Sequence, residues 1–91
     1  MGFRFRKSVP LPYERQGYIY YKSLCFKRLS KREKDRLIKL CSDAGGAYSA
    51  ALFEYMTSAA TADAVCLRHY ISRSTLERCV RKYYIKFPRW M

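Results

Sequence analysis

The side chains best placed for chemistry lie between Thr61 and Phe87. Arg73, Ser74, Glu77 and Arg78 share one side of a helix, with Ser72 and Thr75 beside them and Arg81 and Lys82 further along. Guanidinium, hydroxyl and ammonium groups in such a row donate to planar acceptors and to phosphate oxygens. The chemistry on offer is docking onto a polyanion. Bond-making chemistry has less support. His69 is the only histidine, so an activated nucleophile requires it to sit beside a cysteine. The seven carboxylates are scattered among Lys and Arg, which lower carboxylate pKa values rather than raise them toward neutrality. Gly45-Gly46 lacks the lysine and spacing of a phosphate loop, and Tyr83-Tyr84 has no histidine cluster beside it to hold a metal. We expect no enzyme and no cofactor.

A metal site is not expected either. Cys25, Cys41, Cys66 and Cys79 form no C-x-x-C pair. Cys66 and His69 could share an ion at helical spacing, but no second close pair completes the site. Cys41, Cys66 and Cys79 fall on apolar stripes, where cysteine acts as a small hydrophobe. All are expected to be buried.

Two helices and a turn must position the row. Thr61 can cap a first helix that carries Ala62, Val65, Cys66 and His69 on one side. After Tyr70-Ile71, Ser72 can cap a second, in which Leu76, Cys79, Val80 and Tyr83 recur at i, i+3, i+4, i+7. Upstream, Ser30 and Glu33 have the spacing of a capping box. Leu37, Leu40, Cys41 and Ala44 then give an apolar stripe, and Gly45-Gly46 stops it. This predicts a helix over Lys31 to Ala44 with Lys31, Arg32, Lys34, Arg36 and Lys39 outward. A further helix is expected from Tyr48 to Met56, apolar on most sides and so central. Pro88 ends the last helix.

The N-terminal stretch reads differently. Gly2 to Lys7 alternates Phe with basic residues, and Arg4, Arg6 and Lys7 could form an arm that enters a minor groove. Pro10, Pro12 and Gly17 break regular structure, and the aromatic, β-branched run Tyr18 to Tyr21 reads as a strand or extended segment. The expected fold is all-α, a compact bundle of about four helices with a C-terminal helix-turn-helix. A basic arm over residues 1–17 precedes a helical domain over 18–91. The extended segment could include one short strand or β-ribbon.

The run Ile71-Ser72-Arg73-Ser74-Thr75-Leu76-Glu77-Arg78 resembles the turn and recognition-helix start of small bacterial and phage helix-turn-helix DNA-binding proteins. An apolar residue closes the turn, Ser caps the second helix, and a Ser/Thr pair precedes an apolar core residue. Cys66 stands where that family has a small residue at the helix crossing. Tyr70 departs from it, because the family's turn residue is usually Gly, suited to positive φ. The resemblance covers roughly residues 61–87. It implies major-groove reading by the last helix, with base contacts from Arg73, Ser74, Glu77 and Arg78. Ser72, Thr75, Arg68, Arg81, Lys82, Lys31 and Arg32 would hold the backbone. Glu77 then needs a cytosine amine or a neighbouring arginine, or it repels phosphate.

Charge agrees with a polyanionic partner. Nineteen Lys/Arg against seven Asp/Glu leave +12, gathered toward the two ends of the chain. A hydrophobic content of 49% argues for a folded core rather than a disordered tail. The leading expectation is a cytoplasmic regulator of phage or mobile-element type that binds double-stranded DNA, with a homodimer one way to double its readout. The alternative is an inhibitor or adaptor whose basic faces dock on an acidic surface of a nucleic-acid enzyme or on its RNA. RNA binding through the nine tyrosines is a weaker third. No membrane-crossing run or secretory leader is expected.

Overall fold

Three hydroxyl caps set the helix starts read from the sequence. Ser30 Oγ accepts from the Glu33 amide at 3.2 Å while the Ser30 amide donates to Glu33 at 3.3 Å, completing the box. Thr61 Oγ1 accepts from the Ala64 amide and Ser72 Oγ from the Thr75 amide, at 3.2 and 3.1 Å. The computed structural model describes residues 3–91, so Met1 and Gly2 of the expected arm lie outside the described residues. Five α-helices follow in order: α1 Tyr13–Leu24, α2 Lys31–Gly45, α3 Ser49–Thr57, α4 Ala62–His69 and α5 Arg73–Lys86. Short 3-10 turns at Phe26–Arg28 and Gly46–Tyr48 join the first three. The fold is all-α, and no strand occurs among the described residues.

The strand expected at Tyr18 to Tyr21 is therefore corrected: that run is the middle of α1. Pro12 does not disrupt α1 but precedes its first residue with φ −67°, which suits a helix start. Gly17 does not end a loop; it sits inside α1 with the Phe3 ring resting over it. Inward-facing Gln16, Ile19 and Ser23 recur at i, i+3, i+7, a helical stripe in which two of three members are polar.

Those two polar residues are fully satisfied. The Gln16 side chain accepts from the Arg6 amide at 2.9 Å and donates to the carbonyls of Arg6, Val9 and Leu11 at 3.0, 3.3 and 3.0 Å. One buried amide thus fastens the N-terminal segment, and Val9 is carried into the core. Ser23 Oγ donates to the Ile19 carbonyl at 2.7 Å, so the 2.6 Å contact with the Tyr83 hydroxyl has Tyr83 as donor.

The core is built from Ile19, Leu37, Leu40, Leu52, Val65, Leu76, Val80 and Tyr83, all essentially without solvent contact. As expected, α3 is central: it touches each of the other four helices, although Ala50 faces solvent. A Cα radius of gyration of 12.1 Å matches the ~12 Å of a single packed domain this long. The expected boundary after residue 17 does not separate an arm from a domain, because α1 and the segment before it belong to the same packed body.

Candidate nucleic-acid interface

Tyr70, the residue between α4 and α5, adopts φ 55° and ψ 46° and is the only described non-glycine residue with positive φ. Its amide and that of Ile71 both donate to the Cys66 carbonyl, the latter at 3.2 Å. This left-handed cap stops α4 after two turns and lets Ser72 open α5 on a new axis. The Tyr70 ring is 95% exposed and gains nothing from packing. The turn thus keeps the left-handed geometry that glycine usually supplies, and the tyrosine takes the strain.

The α5 stripe buries Leu76, Cys79, Val80, Tyr83 and Tyr84. Its other side leaves Arg73, Ser74, Arg78, Arg81, Lys82 and Lys86 in solvent, with Thr75 and Glu77 partly covered. Ser72 Oγ also lies 2.8 Å from Thr75 Oγ1 and 3.2 Å from Ser74 Oγ, so the hydroxyls at the start of α5 form one small network.

Of the four expected base-reading residues, two are already held in ion pairs within the molecule. Arg73 Nη1 lies 3.1 Å from Asp63 Oδ1, an exposed pair that bridges the starts of α4 and α5. Glu77 Oε2 receives Arg6 Nη1 at 2.7 Å, and Arg6 Nη2 donates to the Tyr55 hydroxyl at 3.0 Å. Burial works against the Arg6 charge, but Tyr55, Glu77 and Tyr84 outweigh it and raise the pKa. Glu77 thus has the arginine neighbour that a carboxylate on this face requires. Ser74 joins only the exposed hydroxyl network at the start of α5, and Arg78 has no side-chain partner among the described residues.

The expected minor-groove arm is corrected at its centre. Arg6 points inward, and the Ser8 carbonyl accepts from Arg81 Nε at 2.9 Å. Residues 6 and 8 therefore meet residues 77 and 81, one turn apart on α5, and the arm lies along that helix as a strap. Arg4 and Lys7 keep exposed side chains on it.

The expected backbone contacts divide into two groups. Arg81 and Lys82 lie along α5 itself, and Arg68 is exposed near the end of α4 while pairing with Glu54. His69 Nε2 contacts the other Glu54 oxygen at 2.7 Å, and Arg68 first, then His69, holds that carboxyl below the usual range. Lys31 and Arg32 sit elsewhere. Arg32 covers the Trp90 ring at 4.5 Å, whereas residues 43–46 at the other end of α2 border Thr75 and Arg78. The two helices run antiparallel, so the basic start of α2 is at the far end of α5 from Ser72. Lys31 is paired with Asp35 there at 3.0 Å.

The cysteine expectation holds for Cys41 and Cys79, which are buried; Cys66 is partly covered and Cys25 is exposed, which corrects the reading of all as core. No group of three or more metal-ligating side chains occurs among the described residues. No described helix is long and apolar enough to cross a membrane. Sequence reasoning missed Gln16, Tyr55 and Asp63, each of which holds a candidate reader or the strap beside it. Compared with protein-family models, curated proteins and solved structures, the chain matches none.

Proposed function

We propose that this chain is a small DNA-binding protein, a regulator of the kind carried by phages and mobile elements, that lays α5 in the major groove. The observation that carries the reading is the left-handed Tyr70 turn, from which α5 emerges with its apolar stripe buried and Ser74, Arg78 and Lys82 in solvent. Neutralisation of Glu77 by Arg6 supports it, because an unpaired carboxylate here would oppose a phosphate backbone. In this reading Arg78 reads a base edge directly, and Arg73 does so after leaving Asp63. Ser72, Ser74, Thr75, Arg81, Lys82 and Arg68 contact phosphate or adjacent bases. Lys31 and Arg32 would serve only a duplex that extends past the far end of α5.

A mobility shift of random-sequence duplex, titrated with salt, tests the proposal. We expect log K to fall linearly with log salt, with a slope of about −0.9 per phosphate contact. Selection from randomised duplexes should then yield a preferred site. Absence of any shift at low salt ends the reading.

One observation favours a second reading, a protein-docking inhibitor or adaptor. Leu67 is 80% exposed and lies three residues from the bare Tyr70 ring. Loss of duplex binding in a Leu67→Ser/Tyr70→Ser variant that still unfolds cooperatively would assign these side chains to DNA and count against that use of the turn.

A further inference from the structure

A cleft of about 400 Å³ opens between the N-terminal strap, the end of α1, the link from α3 to α4, and the first turns of α5. That volume is within the range of small-molecule sites, most of which combine apolar walls with a few convergent polar groups. Leu24, Met56, Ala59, Ala60 and Ala62 supply apolar walls, and the rings of Tyr20 and Tyr55 add flat surface. Three arginines and two carboxylates line the same space.

The charges do not cancel. Glu77 is matched by Arg6 at 2.7 Å and Asp63 by Arg73 at 3.1 Å. Arg4 is the third cation, and it has no ion-pair partner among the described residues. The Tyr20 hydroxyl likewise makes no hydrogen bond among them, and it borders the cleft with Arg4. One positive charge and one phenol therefore face a space of mixed lining, with apolar walls, the hydroxyl-bearing Ser58 and Thr61, and two internally neutralised pairs.

We propose that this cleft binds a small organic monoanion, a carboxylate with an aromatic or apolar body. Its head group would take a charge-assisted hydrogen bond from Arg4, supported by the Tyr20 hydroxyl. Its body would lie against Met56, Ala60 and the Tyr55 ring. A dianion such as a free phosphate monoester fits less well, because matching a second charge requires breaking the pair at Glu77 or Asp63. The site does not depend on α5 reading DNA. It does touch both helices flanking the Tyr70 turn, so occupancy would be felt at Arg73 and Glu77.

The test uses 1-naphthylacetate, its neutral counterpart 1-naphthylacetamide, and inorganic phosphate, each titrated into the full chain with amide shifts followed by NMR. We expect saturable shifts with 1-naphthylacetate centred on residues 58–63, 73 and 77. The neutral amide and the Arg4→Ala variant should each weaken binding about tenfold, which is about 1.4 kcal/mol. Ala59→Trp, at an exposed position on the lining, should abolish the shifts while thermal unfolding stays cooperative. Equal affinity for acid and amide, or an unchanged affinity in Arg4→Ala, would overturn the assignment. So would shifts spread over the basic surface, equal shifts with inorganic phosphate, or no saturable shift.

Discussion

Arg6 and Glu77 stand seventy-one positions apart in sequence and 2.7 Å apart in space, joining the N-terminal strap to the second turn of α5. The contact is partly solvated on both sides, so its worth comes from the hydrogen bonds more than from unscreened charge. We expect Arg6→Ala to lower stability by about 1–3 kcal/mol, since it removes bonds to both Glu77 and the Tyr55 hydroxyl. Glu77→Gln should destabilise less and should bind random duplex more tightly than the parent. Urea unfolding and a mobility shift on the same preparations measure both. Equal stability losses in the two variants would show that the Tyr55 bond contributes nothing.

Proton direction in the buried pair Ser23–Tyr83 predicts an asymmetry. Tyr83→Phe removes a donor, yet Ser23 keeps its bond to the Ile19 carbonyl. Ser23→Ala instead strands the Tyr83 hydroxyl where no water reaches it. The expected losses are about 0.5–1.5 kcal/mol for Tyr83→Phe and about 1–3 kcal/mol for Ser23→Ala. Adding Tyr83→Phe to Ser23→Ala should recover part of the loss. Denaturant midpoints of the three variants decide it, and additive losses would contradict the assignment.

At Tyr70 the backbone, not the ring, sets the outcome. Glycine relieves the left-handed strain but raises the entropy of the unfolded chain, two effects of about 1 kcal/mol each that oppose one another. Tyr70→Gly should therefore leave the melting temperature nearly unchanged or raise it slightly. Tyr70→Val, β-branched and poorly suited to positive φ, should lower stability by about 1 kcal/mol or more. A large loss in Tyr70→Gly would mean that the ring has a contact absent from this structure.

Alkaline pH should unfold the protein in a defined window. Burial pushes the Cys41 thiol up to about 12 from an ordinary 9.0, and the Tyr84 phenol up to about 12 from 10.0 despite the opposing pull of Arg6. Tyr83 is raised as well, chiefly by burial. A raised folded-state pKa stabilises fully below the unfolded value and is lost as pH climbs through the folded one. Stability should hold to about pH 9 and then fall, by up to about 1.4 kcal/mol per pH unit for each group that titrates. Burial raises the Cys79 thiol as well, so Cys41→Ala should make the fall above about pH 9 shallower without moving its onset. Urea midpoints measured across pH 8 to about 11 check the sign.

The two arginines proposed to read bases differ in what restrains them. Asp63→Asn frees Arg73 and removes a like charge from the phosphate side, so duplex affinity should rise. Arg78→Ala should cost about 1–3 kcal/mol on a selected site and less on random DNA, while Lys82→Ala should weaken both alike. Quantitative mobility shifts on the two duplexes separate these cases. Equal effects of Arg78 and Lys82 on both would leave only nonspecific binding.

The caps at Ser30, Thr61 and Ser72 were legible in sequence because each is a local rule, a hydroxyl three residues before the amide it accepts from. The apolar stripes of α2 and α5 were legible for the same reason, through period alone. α1 was not. Its inward side is Gln16, Ile19 and Ser23, so a hydrophobic pattern finds one residue where three are buried, and the surrounding tyrosines imitate a strand. Only the partners of Gln16 and Ser23 make those positions interior: the backbone of residues 6, 9 and 11 folded back over α1, and the hydroxyl of Tyr83 sixty positions on, neither of which leaves a periodic sign. The fate of Arg6 was hidden in the same way, since a basic residue near a chain end carries no local sign of the carboxylate it will meet.

An amide has no proton to lose near neutrality and no net charge for salt to screen. The attachment at Gln16 is therefore indifferent to the acidity and ionic strength that would loosen the Arg6 contact beside it. In concentrated electrolyte the strap should slacken at its ionic end while the tether at Gln16 keeps it from leaving. The Arg6 guanidinium is then free to leave α5 while its own backbone stays in place, since Gln16 bonds residues 6, 9 and 11 and the Phe3 ring rests over Gly17.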